Sequence, residues 1–357
     1  MAVSRWPVVV PAGSALLLLF AALAPLGAPL AIACAVALIG AVIAAVHHAE
    51  VVAHRTGEPF GTLVLAVAIT VIEVALIVSI MLAGGPDKAA LPRDTIFSAV
   101  MIICNGVVGL CLLLGGLRHH EQAFRVEGAN SGLAALIALS TLSLVLPTFT
   151  TSSPGGTYTM PQLAFAAIAS LTLWGVFVFV QTVRHRDYFL PPVDSANEDV
   201  HAAPPSNRQA SVSFGLLLVS LVAVVGLAKV LSPSIERSVA AAGAPKTIIG
   251  IAIALLVLLP ETWAAIRAAR ANRIQTSLNL AYGSALASIG LTIPAVALAA
   301  VWLSIPLDLG LQAKDITLLA LTFLVSSITL VSGRTHMMQG AVHLVIFAAF
   351  LFLALVP

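Results

Sequence analysis

The sequence predicts an all-α integral membrane protein of eleven transmembrane helices, one N-terminal helix followed by two inverted five-helix repeats. Three observations predict it. The 357 residues are 60% hydrophobic and 9% charged, with a mean hydropathy of +1.06. A soluble domain carries about 25% charged residues, so this chain cannot solvate a globular surface. A water-soluble enzyme, a nucleic-acid binder and a disordered scaffold are excluded. Next, eleven segments approach the roughly 20 apolar residues that cross a bilayer core. Finally, spans two to six and seven to eleven are blocks of five, an odd number. The second block therefore enters the membrane from the opposite side, the parity of inverted-topology repeats.

The spans lie near 8–26, 29–46, 61–83, 94–117, 131–147, 162–183, 212–231, 247–266, 278–303, 316–331 and 339–356. Arg5 ahead of the first apolar run imitates a signal peptide, but ten more hydrophobic segments follow, so it reads as a first span. Residues 1–28 then form the N-terminal helix, 29–183 the first repeat, 184–211 a linker and 212–357 the second repeat. The longest polar stretch, Arg184–Gln209, holds Asp194, Glu198, Asp199 and several prolines, and reads as a solvated tether. Cys34, Cys104 and Cys111 all lie in apolar stretches. Cys104 and Cys111 are about 10 Å apart along one predicted helix, too far for a disulfide.

Lys and Arg set the orientation. Eleven fall on the N-terminal side of the membrane and six on the other. That places the N-terminus and the long linker in the cytoplasm and, with an odd number of spans, the C-terminus outside. The net charge of +2 identifies no partner.

Of fifteen acidic residues, thirteen fall in loops or at span ends; Glu73 and Glu261 lie inside spans. A carboxylate at the bilayer centre costs roughly 2.5–3.5 kcal/mol on insertion scales, so it is retained for function by default. The bland alternative is a protonated glutamate hydrogen-bonded in a bundle. Each glutamate sits in the second helix of its five-helix block, so an inverted repeat would bring the two together near the midplane. Two carboxylates there neutralise one divalent cation, and oxygen ligands suit Ca²⁺. Emptied of metal in an apolar surrounding, each takes up a proton. Metal and protons then compete for one site, the physical minimum for cation/proton antiport. Pro260, just before Glu261, should free a backbone carbonyl and kink its helix.

These segments resemble the α-repeats of the calcium/cation antiporter superfamily, most of all its bacterial calcium/proton antiporter branch. The first match runs from Gly57 through Pro59 and Thr70 to Glu73, followed by Cys104-Asn105-Gly106 in the next span. The second runs from Gly250 through Pro260 to Glu261, followed by Asn279, Ser284 and Ser288. A third, Gly333-Arg-Thr-His336-Met-Met-Gln-Gly340, resembles the family's segment before the last helix. The resemblance implies eleven spans and the two glutamates as ligands of the transported ion and carriers of protons. It makes Thr70, Asn105, Asn279, Ser284 and Ser288 candidates to complete the coordination. There are departures. In sodium-coupled relatives the helix before each glutamate is richer in small hydroxyl and glycine residues, whereas here it is mostly branched aliphatic. Fewer oxygen ligands favour the proton as counter-ion. At His336 the family more often has an amide.

His47, Glu50 and His54 fall roughly on one helix face at the cytoplasmic end of span two, with Glu58 just downstream. With His48 they read as polar residues marking the membrane surface, as a cation-entry gate or pH sensor, or as a zinc site. The order and gaps are not those of a zinc protease. His119, His120 and Glu121 read as interface residues, and Arg267, Arg270 and Arg273 as topology signals. His343 stands alone in the last span; a packed, hydrogen-bonded histidine is the simpler reading and a proton relay the sharper one. Gly106, Gly109, Gly115, Gly116, Gly283 and Gly290 would permit close helix packing.

The expectation is therefore a membrane antiporter, not an enzyme, exchanging cytoplasmic Ca²⁺ for external H⁺ by alternating access. Na⁺ and K⁺ stand as alternative substrates and a Na⁺(K⁺)/H⁺ antiporter as the rival. It implies no cofactor, no nucleic-acid partner, and a place in the lipid bilayer of the inner (cytoplasmic) membrane.

Overall fold

Eleven helices of the computed structural model are long and apolar enough to cross a membrane, as the sequence predicts. The structure describes residues 5–57, 60–190 and 205–356. The helices are α1 (Trp6–Leu23), α2 (Ala28–Thr56), α3 (Phe60–Gly84), α4 (Leu91–His119), α5 (Val126–Phe149), α6 (Met160–Arg184), α7 (Asn207–Ala241), α8 (Thr247–Arg270), α9 (Ile274–Leu303), α10 (Ala313–Val331) and α11 (Met337–Leu355). Two short strands, β1 (Glu121–Ala123) and β2 (Arg334–His336), pair antiparallel between the α4–α5 and α10–α11 connections. Asp194, Glu198 and Asp199 of the expected tether lie outside the described residues.

Boundaries differ where polar residues continue a helix. α2 runs ten residues past the expected end and stops at Gly57, whose φ of +70° suits a residue without a Cβ. α7 starts at Asn207, because Ser206 and Gln209 form a reciprocal capping box ahead of it. Its 35 residues span about 52 Å, well beyond a hydrocarbon core of about 30 Å.

The described residues fold as two compact units, and each interleaves the two halves of the sequence. The first, within 1–88 and 201–249, holds α1, α2, α3 and α7. Here α1 packs on α2 and α7. A Cβ at Gly40 would stand 3.1 Å from Val10, and one at Gly226 would collide with Leu18, so small residues set these close approaches. His48 Nε2 lies 2.8 Å from the Pro7 carbonyl and pins the end of α2 to the start of α1. On the opposite membrane face the Lys88 ammonium, 5% exposed, meets Glu236 of α7 at 3.2 Å.

The second unit, within 89–200 and 250–357, holds α4–α6, most of α8, and α9–α11. α4 lies along α11, and glycines bring them together. A Cβ at Gly106 would meet the Phe347 ring, at Gly109 the His343 Cβ, and at Gly340 the Leu113 backbone. Gly290 lies against Trp174 of α6 in the same way, but a Cβ at Gly283 meets nothing within 4 Å. The close approach expected at Gly283 is absent. At the start of α4, Arg93 bonds Asp94 (2.9 Å), Asp308 (2.8 Å) and the Gly310 carbonyl (3.0 Å), tying that helix to the α9–α10 connection. Burial raises the Asp308 pKa, and the Arg93 guanidinium partly offsets it.

α8 runs unbroken through Pro260. The expected irregularity is thus limited to one missing N–H, that which would have served the Leu256 carbonyl. The irregular turns are elsewhere, as wide π-helical turns at Ile102–Val107, Thr141–Val145 and Val180–Arg184. The three cysteines are free and buried.

Candidate ion site

Glu73 sits near the middle of α3 and is 3% exposed. Thr70, one turn earlier on the same face, is buried and donates its hydroxyl to the Ala66 carbonyl at 2.8 Å. That hydroxyl keeps its lone pairs toward whatever shares the face of Glu73. All of this belongs to the first unit.

The second unit carries the remaining candidates. Glu261 is partly buried in α8, and the next residue, Thr262, donates back to the Leu258 carbonyl at 2.7 Å. Ser284 and Ser288 lie one turn apart on α9, Ser288 buried and Ser284 half-buried. Asn279 is nearer the start of that helix and is engaged on both sides. Its amide donates to the Phe189 carbonyl at 2.6 Å, and its oxygen accepts from Gln275 at 3.0 Å. In this conformation Asn279 anchors the Arg186–Phe189 turn.

Asn105 lies inside the π-helical turn of α4 and is fully buried. π turns inside α-helices recur at functional sites. The hydrogen-bond order around Asn105 can be read from one end. Thr322 of α10 donates to the Leu318 carbonyl (2.8 Å), so it accepts from the Asn105 amide (2.9 Å). The Asn105 oxygen then accepts from His343 Nδ1–H (3.1 Å), and His343 Nε2 accepts from the Thr329 hydroxyl (3.1 Å). Every member is at most 3% exposed. This closed chain across α4, α10 and α11 uses the neutral imidazole and fixes the Asn105 oxygen. The packed, hydrogen-bonded reading of His343 is borne out.

Sequence reasoning missed Thr322 and Thr329. Their signal is a polar stripe, Thr322, Ser326 and Thr329, at helical spacing in an otherwise apolar segment, all of it buried.

The residues expected to form a gate or pH sensor are spread along the last turns of α2. His47 lies against Trp6 with the rings tilted (5.1 Å between ring centroids), while Glu50 and His54 are exposed. Glu58 lies outside the described residues. Among the described residues no three of His, Cys, Asp and Glu converge as a metal-binding group. His336 explains one departure from the family pattern: its Nδ1 accepts from the Met338 N–H at 3.3 Å at the start of α11. That is the cap an amide side chain would supply.

A buried carboxylate with a hydroxyl alongside can hold a cation or a proton, not both at full strength. A family model described as sodium/calcium exchanger protein matches residues 26–183 and 212–356. The chain is 49% identical over 320 residues to the "Putative ionic transporter y4hA" of Sinorhizobium fredii, covering 90% of this chain and 87% of that one. It is 35% identical to the sodium-potassium/proton antiporter ChaA of Escherichia coli, covering 88% and 86%. It is 27% identical to a Ca²⁺/H⁺ antiporter of Aphanothece halophytica, covering 74% and 75%. The fold matches the solved structure of native YfkE with a TM-score of 0.74 at 18% identity, over 98% of this chain and all of that one. By these matches the chain belongs to the sodium/calcium exchanger family, within the bacterial branch of the calcium/cation antiporter superfamily, and is a multi-pass membrane antiporter of cations.

Proposed function

We propose that the chain exports cytoplasmic Ca²⁺ across the inner membrane in exchange for external protons, with Glu73 and Glu261 as the shared ligands and proton carriers. One observation carries the reading: each five-helix repeat places a single carboxylate deep in its second helix. Protons arriving from outside neutralise both carboxylates, the neutral site turns over, and a cytoplasmic cation displaces the protons. Two protons against one Ca²⁺ leave the cycle electroneutral. With one proton, the membrane potential would contribute about 2.3 kcal/mol per charge per 100 mV. Thr70, Ser284 and Ser288 add neutral oxygens on the cation's side of the cycle. Asn105 joins them if its hydrogen bond to His343 opens. The cation-entry or pH-sensing role of His47, Glu50, His54 and Glu58 belongs to the same proposal, as does a cytoplasmic N-terminus.

A second reading has its own support. The relative at 35% identity is named for Na⁺ and K⁺, and the one at 27% for Ca²⁺. Proteoliposomes with an imposed pH gradient separate the two. Ca²⁺ uptake that Na⁺ and K⁺ inhibit only weakly supports the calcium reading. Gradient-driven Na⁺ or K⁺ movement without Ca²⁺ movement replaces it with the monovalent one.

A further inference from the structure

Where α4 and α8 end and α9 begins, a cavity of about 700 Å³ opens in the second unit, on the membrane face that carries the chain's N-terminus by the parity of crossings. Arg118, Arg267, Arg270 and Arg273 line it, together with Thr276 and Leu280, and no lining residue is acidic. Basic residues at a span end are ordinary topology signals, but their convergence on one cavity also concentrates positive charge there.

The ordinary structural use of basic residues at a helix C-terminus is to cap its last carbonyls. Here that work is done by other groups. The Arg267 and Ala268 carbonyls accept from the Ala271 and Arg273 N–H groups, and the Ala269 carbonyl accepts from Asn272 N–H and Gln122 Nε2. The Arg270 carbonyl pairs with His119 Nε2 at 3.0 Å. The arginine side chains are therefore not needed to complete α8. Across the cavity, the first turn of α9 has no side-chain cap, so its leading N–H groups and the positive end of its dipole face the same region.

The cavity also has an apolar approach. Ala264, Ala268 and Leu280 belong to its wall. Toward the membrane interior, Trp263 (64% exposed) and Leu259 of α8 and Leu117 of α4 are exposed large hydrophobics. Leu259, Trp263 and Arg267 follow one another at four-residue spacing, so this apolar strip runs along one face of α8 up to the basic lining. A ligand matching both features has a strongly anionic head and apolar chains.

We infer that this cavity binds the headgroup of an anionic phospholipid, with the arginines on its phosphodiesters and its acyl chains against Leu117, Leu259 and Trp263. Arg118, Arg267 and Arg270 offer three guanidinium groups, which a headgroup with two phosphodiesters, as in a diphosphatidylglycerol, engages more fully than one with a single phosphate. Basic cavities between transmembrane helices select such headgroups by the same physics, and the guanidinium fork pairs phosphate oxygens two at a time.

The test is thermal unfolding of the full-length protein in neutral detergent micelles. The additives are diphosphatidylglycerol, phosphatidylcholine or millimolar inorganic phosphate. Diphosphatidylglycerol should raise Tm by about 5 °C, with no rise from phosphatidylcholine or phosphate. The triple variant R118Q/R267Q/R270Q should lose the rise. R184Q/R186Q/R208Q, which removes the same charge from the same face outside the cavity, should keep it. If the first variant does not purify as a monodisperse protein, R267K/R270K carries the test. It keeps the charge but loses the paired geometry, so its rise should fall by half or more. An equal rise in both triple variants, an undiminished rise in the lysine variant, or an equal rise from phosphate alone would overturn the proposal.

Discussion

The first-half helices α3 and α4 and the second-half helices α8 and α9 answer to the same sequence plan, yet they are built differently. α3 is proline-free and buries Glu73, whereas α8 carries Pro260 immediately before a half-buried Glu261. α4 opens into a π turn and fixes Asn105 through His343 and Thr322, whereas α9 stays α-helical past Ser284 and Ser288. The first half therefore presents an oriented amide held by neighbours. The second presents hydroxyls on a regular helix, α9, and a carboxylate on α8, a helix that lacks one backbone bond. Helices that answer to one sequence plan need not share rigidity: α4 is the firm side of this comparison and α8 the yielding side.

Among the changes that probe this contrast, breaking the network that holds Asn105 should have the largest effect. His343→Leu leaves the Asn105 oxygen and the Thr329 hydroxyl buried without partners, each costing about 1–3 kcal/mol. We expect a lower Tm and at least a tenfold loss of exchange in proteoliposomes. Normal exchange would show that Asn105 needs no positioning. Arg93→Ala removes three contacts that hold the start of α4, and should cost about 3 kcal/mol in denaturant unfolding; a change below about 0.5 kcal/mol would mean the cluster is not what anchors α4. Thr322→Val removes one link of the network and should cost about 1 kcal/mol, with a smaller loss of transport than His343→Leu.

Making the yielding half firm sharpens the comparison from the other side. Pro260→Ala restores an N–H for the Leu256 carbonyl, so α8 should become more stable while exchange slows a few-fold. Faster exchange would contradict the assignment of compliance to α8. The smallest effect concerns pH. Burial raises the Asp308 pKa, so the folded protein binds its proton more tightly than the unfolded chain does. Its contribution to stability is present below the unfolded value of about 3.9 and is lost as pH rises through the folded value. Asp308→Asn should flatten that part of a Tm-against-pH profile, and an unchanged slope would assign it to another group.

What the sequence made legible follows from what a bilayer demands. Each span must satisfy its own backbone bonds and present apolar side chains, so eleven runs and two out-of-place carboxylates stand out. The π turn at Ile102–Val107 does not, because Asn105 and Gly106 in an otherwise apolar run fit a regular transmembrane helix equally well. The same holds for β1 and β2: three residues each leave no alternation to detect, and only the register between Glu121 and His336 reveals them. Gly283 shows the converse error, since a glycine at helical spacing does not guarantee a neighbour. Asn279 was legible as a polar residue in the right segment, but its engagement with Phe189 depends on a turn 90 residues away.

The central claim is that one carboxylate from each half carries both the cation and the proton. The most direct measurement is Ca²⁺ uptake and coupled proton movement in proteoliposomes for Glu73→Gln and Glu261→Gln, each checked for folding by its elution profile and Tm. The account predicts that either substitution alone abolishes both movements, by about a hundredfold or more. Full exchange in either variant would contradict it.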